Sequence, residues 1–203
     1  MLDNGTVLQY PQYLKFSEDK LKVLQRRLAH KKKGSKRWKQ ICFSLSRLHI
    51  HISRQRDDWQ SKQIHNILAK CDALVLEKLN IRVMLSNHRV AKSIFDASWG
   101  KFAKKAIHKA EMMGKIFIAV DPWGTTQFCH KCLSWVPKDL SERTHACPTC
   151  GITIPRDLNS SLLIKRLGLQ SYPPSDGGLS LAEPRPLPSL RGCASRGCEA
   201  GSH

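Results

Sequence analysis

Acidic side chains are scarce in this sequence. Only 16 Asp and Glu stand against 34 Lys and Arg in 203 residues, giving a formal net charge of +18. A surplus of that size repels itself in the compact state and suits a polyanionic partner. Long apolar runs are also missing. No segment approaches the roughly 20 apolar residues of a membrane span, and the N-terminus carries no signal-peptide pattern. These two absences predict a soluble, cytoplasmic protein with no membrane partner. No internal repeat is visible.

What is present is unevenly spread. Between Lys15 and Lys62 there are 15 basic and 4 acidic residues. That stretch is the expected phosphate-facing surface, because Lys and Arg that displace condensed counterions gain affinity without reading sequence. The competing reading is a solvated helical face.

Cysteine is not scarce, with eight in the chain. Cys42 and Cys71 stand alone in apolar runs and read as buried thiols; Cys193 and Cys198 sit near the C-terminus. The other four form two Cys-x-x-Cys pairs, Cys129 with Cys132 and Cys147 with Cys150, separated by 14 residues. Each pair makes a knuckle that aims two thiolates at one point. Two knuckles give the tetrahedral four-sulfur set that Zn²⁺ prefers, with no open position for catalysis. Pro148 and Gly151 suit a knuckle turn, and His130 and His145 flank a shell the thiols already complete. Unliganded thiols or a redox pair are the alternatives. An insert this small cannot build a core alone, so bound metal should supply its folding energy.

Along the chain, Asp3-Asn4-Gly5-Thr6 signals a tight turn, followed by a short strand at Val7, Leu8 and Tyr10 that Pro11 ends. Ser17 reads as a helix N-cap with Glu18 and Asp19 in the first turn. Leu21, Leu24 and Leu28 recur at helical spacing, and Lys31-Lys32-Lys33-Gly34-Ser35 breaks the pattern as a basic loop. Trp38, Ile41, Leu45, Leu48 and Ile52 open a second helix. Together they predict an antiparallel helical hairpin over about 17–69.

Ala73-Leu74-Val75-Leu76 and Ile116-Phe117-Ile118-Ala119-Val120 are continuous apolar runs, the pattern of buried parallel strands. Between them lies a polar stretch and then a helix with Trp99, Phe102, Ala106, Ala110 and Met113 on one face and Gly114 as its stop. A last helix starts near Asp157 and carries Leu158, Leu162, Leu163 and Leu167. The fold class is therefore α/β. The expected layout is a core over 1–122, a ribbon over 123–154, a final helix over 155–169 and a disordered tail over 170–203.

Two acids stand out. Glu77 closes an otherwise apolar strand, and Asp157 opens a helix directly after the ribbon. Carboxylates so placed can converge and hold Mg²⁺ for phosphodiester hydrolysis. They can equally be the solvent end of a strand and an ordinary N-cap.

In order, the chain has Leu-Glu-Lys-Leu-Asn at 76–80, Ser-Ile-Phe-Asp-Ala-Ser-Trp-Gly at 93–100, Val-Asp-Pro at 120–122, Thr-Thr-Gln at 125–127, the four cysteines, and Arg-Asp-Leu-Asn at 156–159. Val-Pro-Lys-Asp-Leu-Ser at 136–141, Leu-Gln-Arg-Arg-Leu at 24–28 and Lys-Lys-Lys-Gly-Ser at 31–35 fit the same pattern. From Asp3 to Leu167 this resembles the C-terminal part of a TnpB (OrfB) insertion-sequence protein. That family is often called transposase and is understood as RNA-guided DNA endonucleases with a zinc ribbon. The resemblance implies a partial RNase H-like (RuvC-like) domain, DNA and a guide RNA as partners, structural Zn²⁺ and catalytic Mg²⁺. It also implies that Glu77 and Asp157 are the second and third acids of an Asp-Glu-Asp triad.

The family's first acid lies on a Gly-x-Asp-x-Gly strand before the turn that Asp3 matches, and this sequence does not include that strand. Leu133, Pro155 and Ser160-Ser161 also depart from the family's Gly, acid and Ala-Ala at those places. The expectation is a truncated protein, inactive alone. A non-catalytic zinc-ribbon nucleic-acid-binding module and a non-functional remnant are the alternatives.

Overall fold

The computed structural model describes residues 1–139 and 141–172. The expected tail lies outside them from residue 173 onward. The chain order is α1 (Tyr13–Ala29), α2 (Lys36–Leu68), β1 (Ala73–Glu77), α3 (Ile81–Ser86), α4 (His88–Ala97), α5 (Trp99–Met112), β2 (Ile116–Val120), β3 (Thr144–Ala146), β4 (Thr153–Pro155) and α6 (Arg156–Ser171). It is a mixed helix and strand fold with two small sheets among the described residues.

β1 and β2 are parallel, in a register that sets Ala73 opposite Ile116 and Glu77 opposite Val120. The continuous apolar runs pair this way because helices cover them: α2 and α6 contact β1, and α5 and α6 contact β2. The core gathers Ile64 and Leu68 of α2, Leu74 of β1, and Phe102, Ala106 and Ala110 of α5. The two alanines are wholly buried, which lets α5 lie close. Gly168 of α6 plays the same part against β1, since a Cβ there would collide with Val75 Cγ1. Gly114 takes a positive φ of 62° just past α5, the stop its sequence position predicts.

The helical hairpin is present. α1 packs on α2, and Ser35 caps α2 by accepting from Trp38 N at 3.2 Å. With 33 residues α2 is about 50 Å long. Its fully buried positions are Ile52, Arg56, Gln60, Ile64 and Leu68, all in the half nearer the sheet. In the other half Trp38, Ile41, Leu45 and Leu48 are half-buried, and α1 packs along α2.

Four local expectations need correction. No strand forms at Val7–Tyr10: this segment is irregular, and Tyr10 donates its hydroxyl to Asp96 Oδ1 at 2.9 Å. Ser17 is not a cap, because α1 begins at Tyr13. Its first turn is served from far away: Leu14 N donates to both Asp96 oxygens at 3.3 Å. The polar stretch before α5 holds two helices, α3 and α4, the first capped by Asn80 accepting from Val83 N. Cys42 and Cys71 are half-buried rather than buried, and desolvation pushes the Cys71 thiol up.

Asp96 is the hub of this corner. Arg56 Nη2 donates to Asp96 Oδ1 at 2.9 Å, with both side chains 8% exposed. Arg56 also donates to Tyr10 Oη and Ser98 Oγ, and Gln60 donates to the Ala97 and Ser98 carbonyls. Burial of Tyr10 in this network pushes its phenol up to about 12.

Candidate metal centre and acid site

The ribbon leaves β2 at Asp121-Pro122 and returns at α6. It has little regular structure: β3 and β4 are three-residue antiparallel strands, and Phe128 and Trp135 form an isolated bridge. The first knuckle closes with Leu133 N donating to the Cys129 carbonyl at 2.9 Å, the second with Gly151 N donating to the Cys147 carbonyl at 2.9 Å. Both residues have positive φ, 60° for Leu133 and 73° for Gly151. Leu133 thus adopts the left-handed turn that a glycine would take without strain.

These turns bring all four expected thiols together. The Sγ atoms of Cys129, Cys132, Cys147 and Cys150 all lie within 4.8 Å of one another. Cys129 and Cys150 are 3.7 Å apart, Cys132 and Cys147 3.5 Å. A tetrahedron with metal–sulfur bonds of about 2.3 Å has edges of roughly 3.8 Å, so the donor set fits a four-thiolate metal ion. The chemistry also suits it. Contacts with Ser134, from its side chain and then its backbone, draw the Cys132 thiol down to about 6. Cys150, against the pull of the Ile152 backbone, is pushed up to about 11 by burial and its thiol neighbours. Without a cation the four thiols do not all ionise together, and a metal ion would supply the charge that lets them. His130 and His145 are not among the ligands: His130 Nδ1 lies 3.0 Å from Asn159 Oδ1, and His145 Nδ1 lies 2.8 Å from Lys138 Nζ.

The acids are placed by the same frame. Glu77 sits at the C-terminal end of β1, half-buried, and Thr125 donates to its Oε1 at 2.5 Å. Thr125 is only 2% exposed, and its Oγ1 also lies 3.1 Å from the Pro122 carbonyl. Asp157 lies in the first turn of α6, with its side chain 57% exposed and Oδ1 3.4 Å from Arg156 Nε. It is not the N-cap, which is Pro155. Outside the cysteine quartet, no three Asp, Glu, His or Cys ligand atoms among the described residues lie in metal-holding range.

Two residues lock the ribbon to α6: Asn159, which the Arg-Asp-Leu-Asn motif marks as orienting the helix start but not as a ribbon contact, and Arg166, which sequence reasoning missed. Asn159 is fully buried. Its Oδ1 accepts from His130 N at 3.0 Å and its Nδ2 donates to the Phe128 carbonyl at 2.8 Å. Arg166 Nη1 donates to the His130 and Lys131 carbonyls at 2.8 and 2.9 Å. The signal for Asn159 was its place two residues after Asp157 on a helix, about 200° round and so on the face opposite that exposed acid. Nothing local marked Arg166.

These features define an α/β protein whose acid-bearing strand and helix are joined through a four-thiol ribbon. The chain is similar in sequence to known proteins. The family model described as "Probable transposase" (OrfB_IS605) matches residues 2–88, and that described as "Cas12f1-like, TNB domain" matches residues 99–164. A Streptomyces pristinaespiralis protein named "Putative RNA-guided DNA endonuclease" is 27% identical over 178 residues, 87% of this chain and 44% of that protein. The Escherichia coli K12 protein InsQ, also named "Putative RNA-guided DNA endonuclease", is 26% identical over 183 residues, 82% of this chain and 46% of its own length. "TnpB-like protein L79" of Acanthamoeba polyphaga mimivirus is 27% identical over 146 residues, 68% of this chain and 28% of that protein. The chain is thus similar to proteins named TnpB-like or putative RNA-guided DNA endonuclease, and it spans less than half the length of these curated relatives.

Proposed function

We propose that the chain is the ribbon-bearing, nucleic-acid-handling portion of a TnpB-type RNA-guided DNA endonuclease, with Zn²⁺ in the cysteine quartet and a partial RuvC-like fold around β1, β2 and α6. DNA is its substrate partner and a guide RNA its second. The observation that supports this most is the continuous path from Glu77 through Thr125 into the ribbon and from the ribbon through Asn159 to the helix that carries Asp157. A structural zinc ion would hold that path in shape, so the ribbon serves the acids as well as itself. The basic hairpin supplies the phosphate contacts.

The quartet fits zinc. Glu77 and Asp157 are two of the three acids that the resemblance implies, and among the described residues no group of three carboxylates lies in metal-holding range. Residues 1–203 by themselves are expected to bind nucleic acid without cutting it.

Fluorescence anisotropy with duplex DNA across a salt series tests the reading. Six or more phosphate contacts predict a loss of about a thousandfold or more in affinity between 50 and 200 mM salt. A flat response sinks it. Mg²⁺-dependent cleavage by the purified chain that vanishes in Glu77→Ala would show that the acids are sufficient, against the expectation here.

A further inference from the structure

The ribbon exposes two tryptophans that neither the metal centre nor the acids use. Trp123 and Trp135 are stacked, with ring centroids 5.9 Å apart and planes inclined by 22°. They are 49% and 47% exposed. Both rest on Phe128, which is buried and meets Trp135 edge-on at 4.8 Å and Trp123 at 5.8 Å. The pair is built into the backbone. Phe128 and Trp135 are bridge partners, and Val136 N donates to the Gln127 carbonyl. Gly124 has φ 71°, and a Cβ there would lie 2.7 Å from the Phe128 ring, so only glycine lets that ring slide beneath. Trp123 N is held by Asp121 Oδ1 at 2.8 Å.

Half-exposed indoles are costly to leave in water, and two held in register form a preset surface. Their surroundings say what that surface fits. Among the described residues of the ribbon, 123–154, they are the only exposed large apolar side chains. Those residues offer a protein partner no large exposed apolar side chain beyond these two rings, with the buried Phe128 beneath them. A flat π-system needs only the two rings. Trp123 is also two residues from Thr125, whose hydroxyl is bonded to Glu77. The platform and the acid therefore share one turn of chain, in a protein whose net charge of +18 draws polyanions.

We propose that Trp123 and Trp135 form a stacking platform for an unpaired base of single-stranded DNA, seating the strand beside Glu77. This rests on the proposed function for its choice of DNA. A base in a duplex has both faces covered by its neighbours, so the platform takes opened strand only. Each stacked base contributes about 1–3 kcal/mol by alanine substitution in comparable sites, and it does so whatever the sequence, because every base has a π-face.

The test uses the 203-residue chain loaded with zinc and a fluorescein-labelled strand of 20 thymidines. Trp123→Leu and Trp135→Leu are expected to weaken binding by about 5- to 100-fold, whereas Trp→Phe at either position retains most of the affinity. Leucine keeps apolar bulk and phenylalanine keeps a π-face, so the pair of variants separates stacking from packing. Zinc content and the salt-dependent binding of duplex DNA should stay at wild-type levels in all four variants. Unchanged thymidine-strand affinity in the leucine variants overturns the platform while leaving the proposed function standing. A uridine RNA strand that the wild-type chain binds more tightly than the thymidine strand overturns the DNA assignment. A wild-type chain that binds neither strand nor duplex in a salt-dependent way overturns the proposed function and this inference together.

Discussion

The sheet region and the ribbon are stabilised by opposite means within one chain. Around β1 and β2 the buried cluster is carbon: Ile64, Leu68, Leu74, Phe102, Ala106 and Ala110. In the ribbon the buried cluster is mostly sulfur, with Cys129 and Cys147 at its centre, Cys132 and Cys150 beside them, and only Val136 and Ile152 as aliphatic company. A 33-residue helix and a 14-residue helix close the first. Two three-residue strands are all the regular structure of the second, and a hairpin that short is not stable in water on its own. The first should fold by burying area, the second by coordinating a metal. The two meet on α6, which packs on β1 and β2 and grips the first knuckle through Asn159 and Arg166.

The sharpest way to break this contrast is to remove the metal. A strong chelator, or Cys147→Ser, should release about one zinc ion per chain and unfold the ribbon, since structural zinc contributes on the order of 10 kcal/mol to such sites. Near-ultraviolet dichroism from Trp123 and Trp135 should collapse while far-ultraviolet helix signal largely survives. Equal loss of both would mean the sheet region is not an independent core.

The next effect belongs to the sheet side. Asp96→Ala leaves Arg56 charged and buried without its partner and strips the first turn of α1 of its acceptor. A loss of about 3–5 kcal/mol in urea unfolding is expected, with zinc affinity unchanged. A stability change near zero would show that the corner is wet rather than buried.

A smaller effect tests the joint. Gly168→Ala forces a Cβ into Val75 and should cost about 1–3 kcal/mol by overpacking. Because α6 also holds the ribbon, this variant should weaken metal binding as well, unlike Asp96→Ala. Zinc competition with a chromophoric chelator measures the difference.

The smallest effect appears at alkaline pH. Tyr10 is held protonated in the fold up to about 12, against an ordinary value of 10.0. Its contribution is intact below pH 10 and is lost as pH rises toward 12, because the unfolded chain ionises first. Tyr10→Phe should flatten the alkaline limb of the stability curve. An unchanged slope would place the phenol in water.

Much of this was legible in the residues, for local reasons. The knuckle spacing fixes where thiols point within a few bonds, and the quartet forms as that spacing predicts. The helical periodicity of α2 and α5 and the apolar runs of β1 and β2 are likewise short-range patterns. The failures are all long-range. The start of α1 was sought at Ser17, yet the acceptor for its first turn is Asp96, 82 residues from Leu14. Val7–Tyr10 has strand-like composition, but Tyr10 is drawn to Asp96 and no strand partner reaches that segment among the described residues. α3 and α4 are only six and ten residues long, too short for a helical period to stand out from the polar residues around them. Glu77 was legible as an acid at a strand end, but its bond to Thr125 was not.

By itself, then, the amino-acid sequence determined the charge, the thiol quartet, the two parallel strands and most helices, because each depends on residues a few positions apart. The tertiary structure alone decided which carboxylate caps α1, which hydroxyl meets Glu77, how Asn159 and Arg166 fasten the ribbon, and that two tryptophans stack in the open. Those contacts join groups that only folding brings within hydrogen-bond or ring-stacking distance, and no spacing along the chain encodes them.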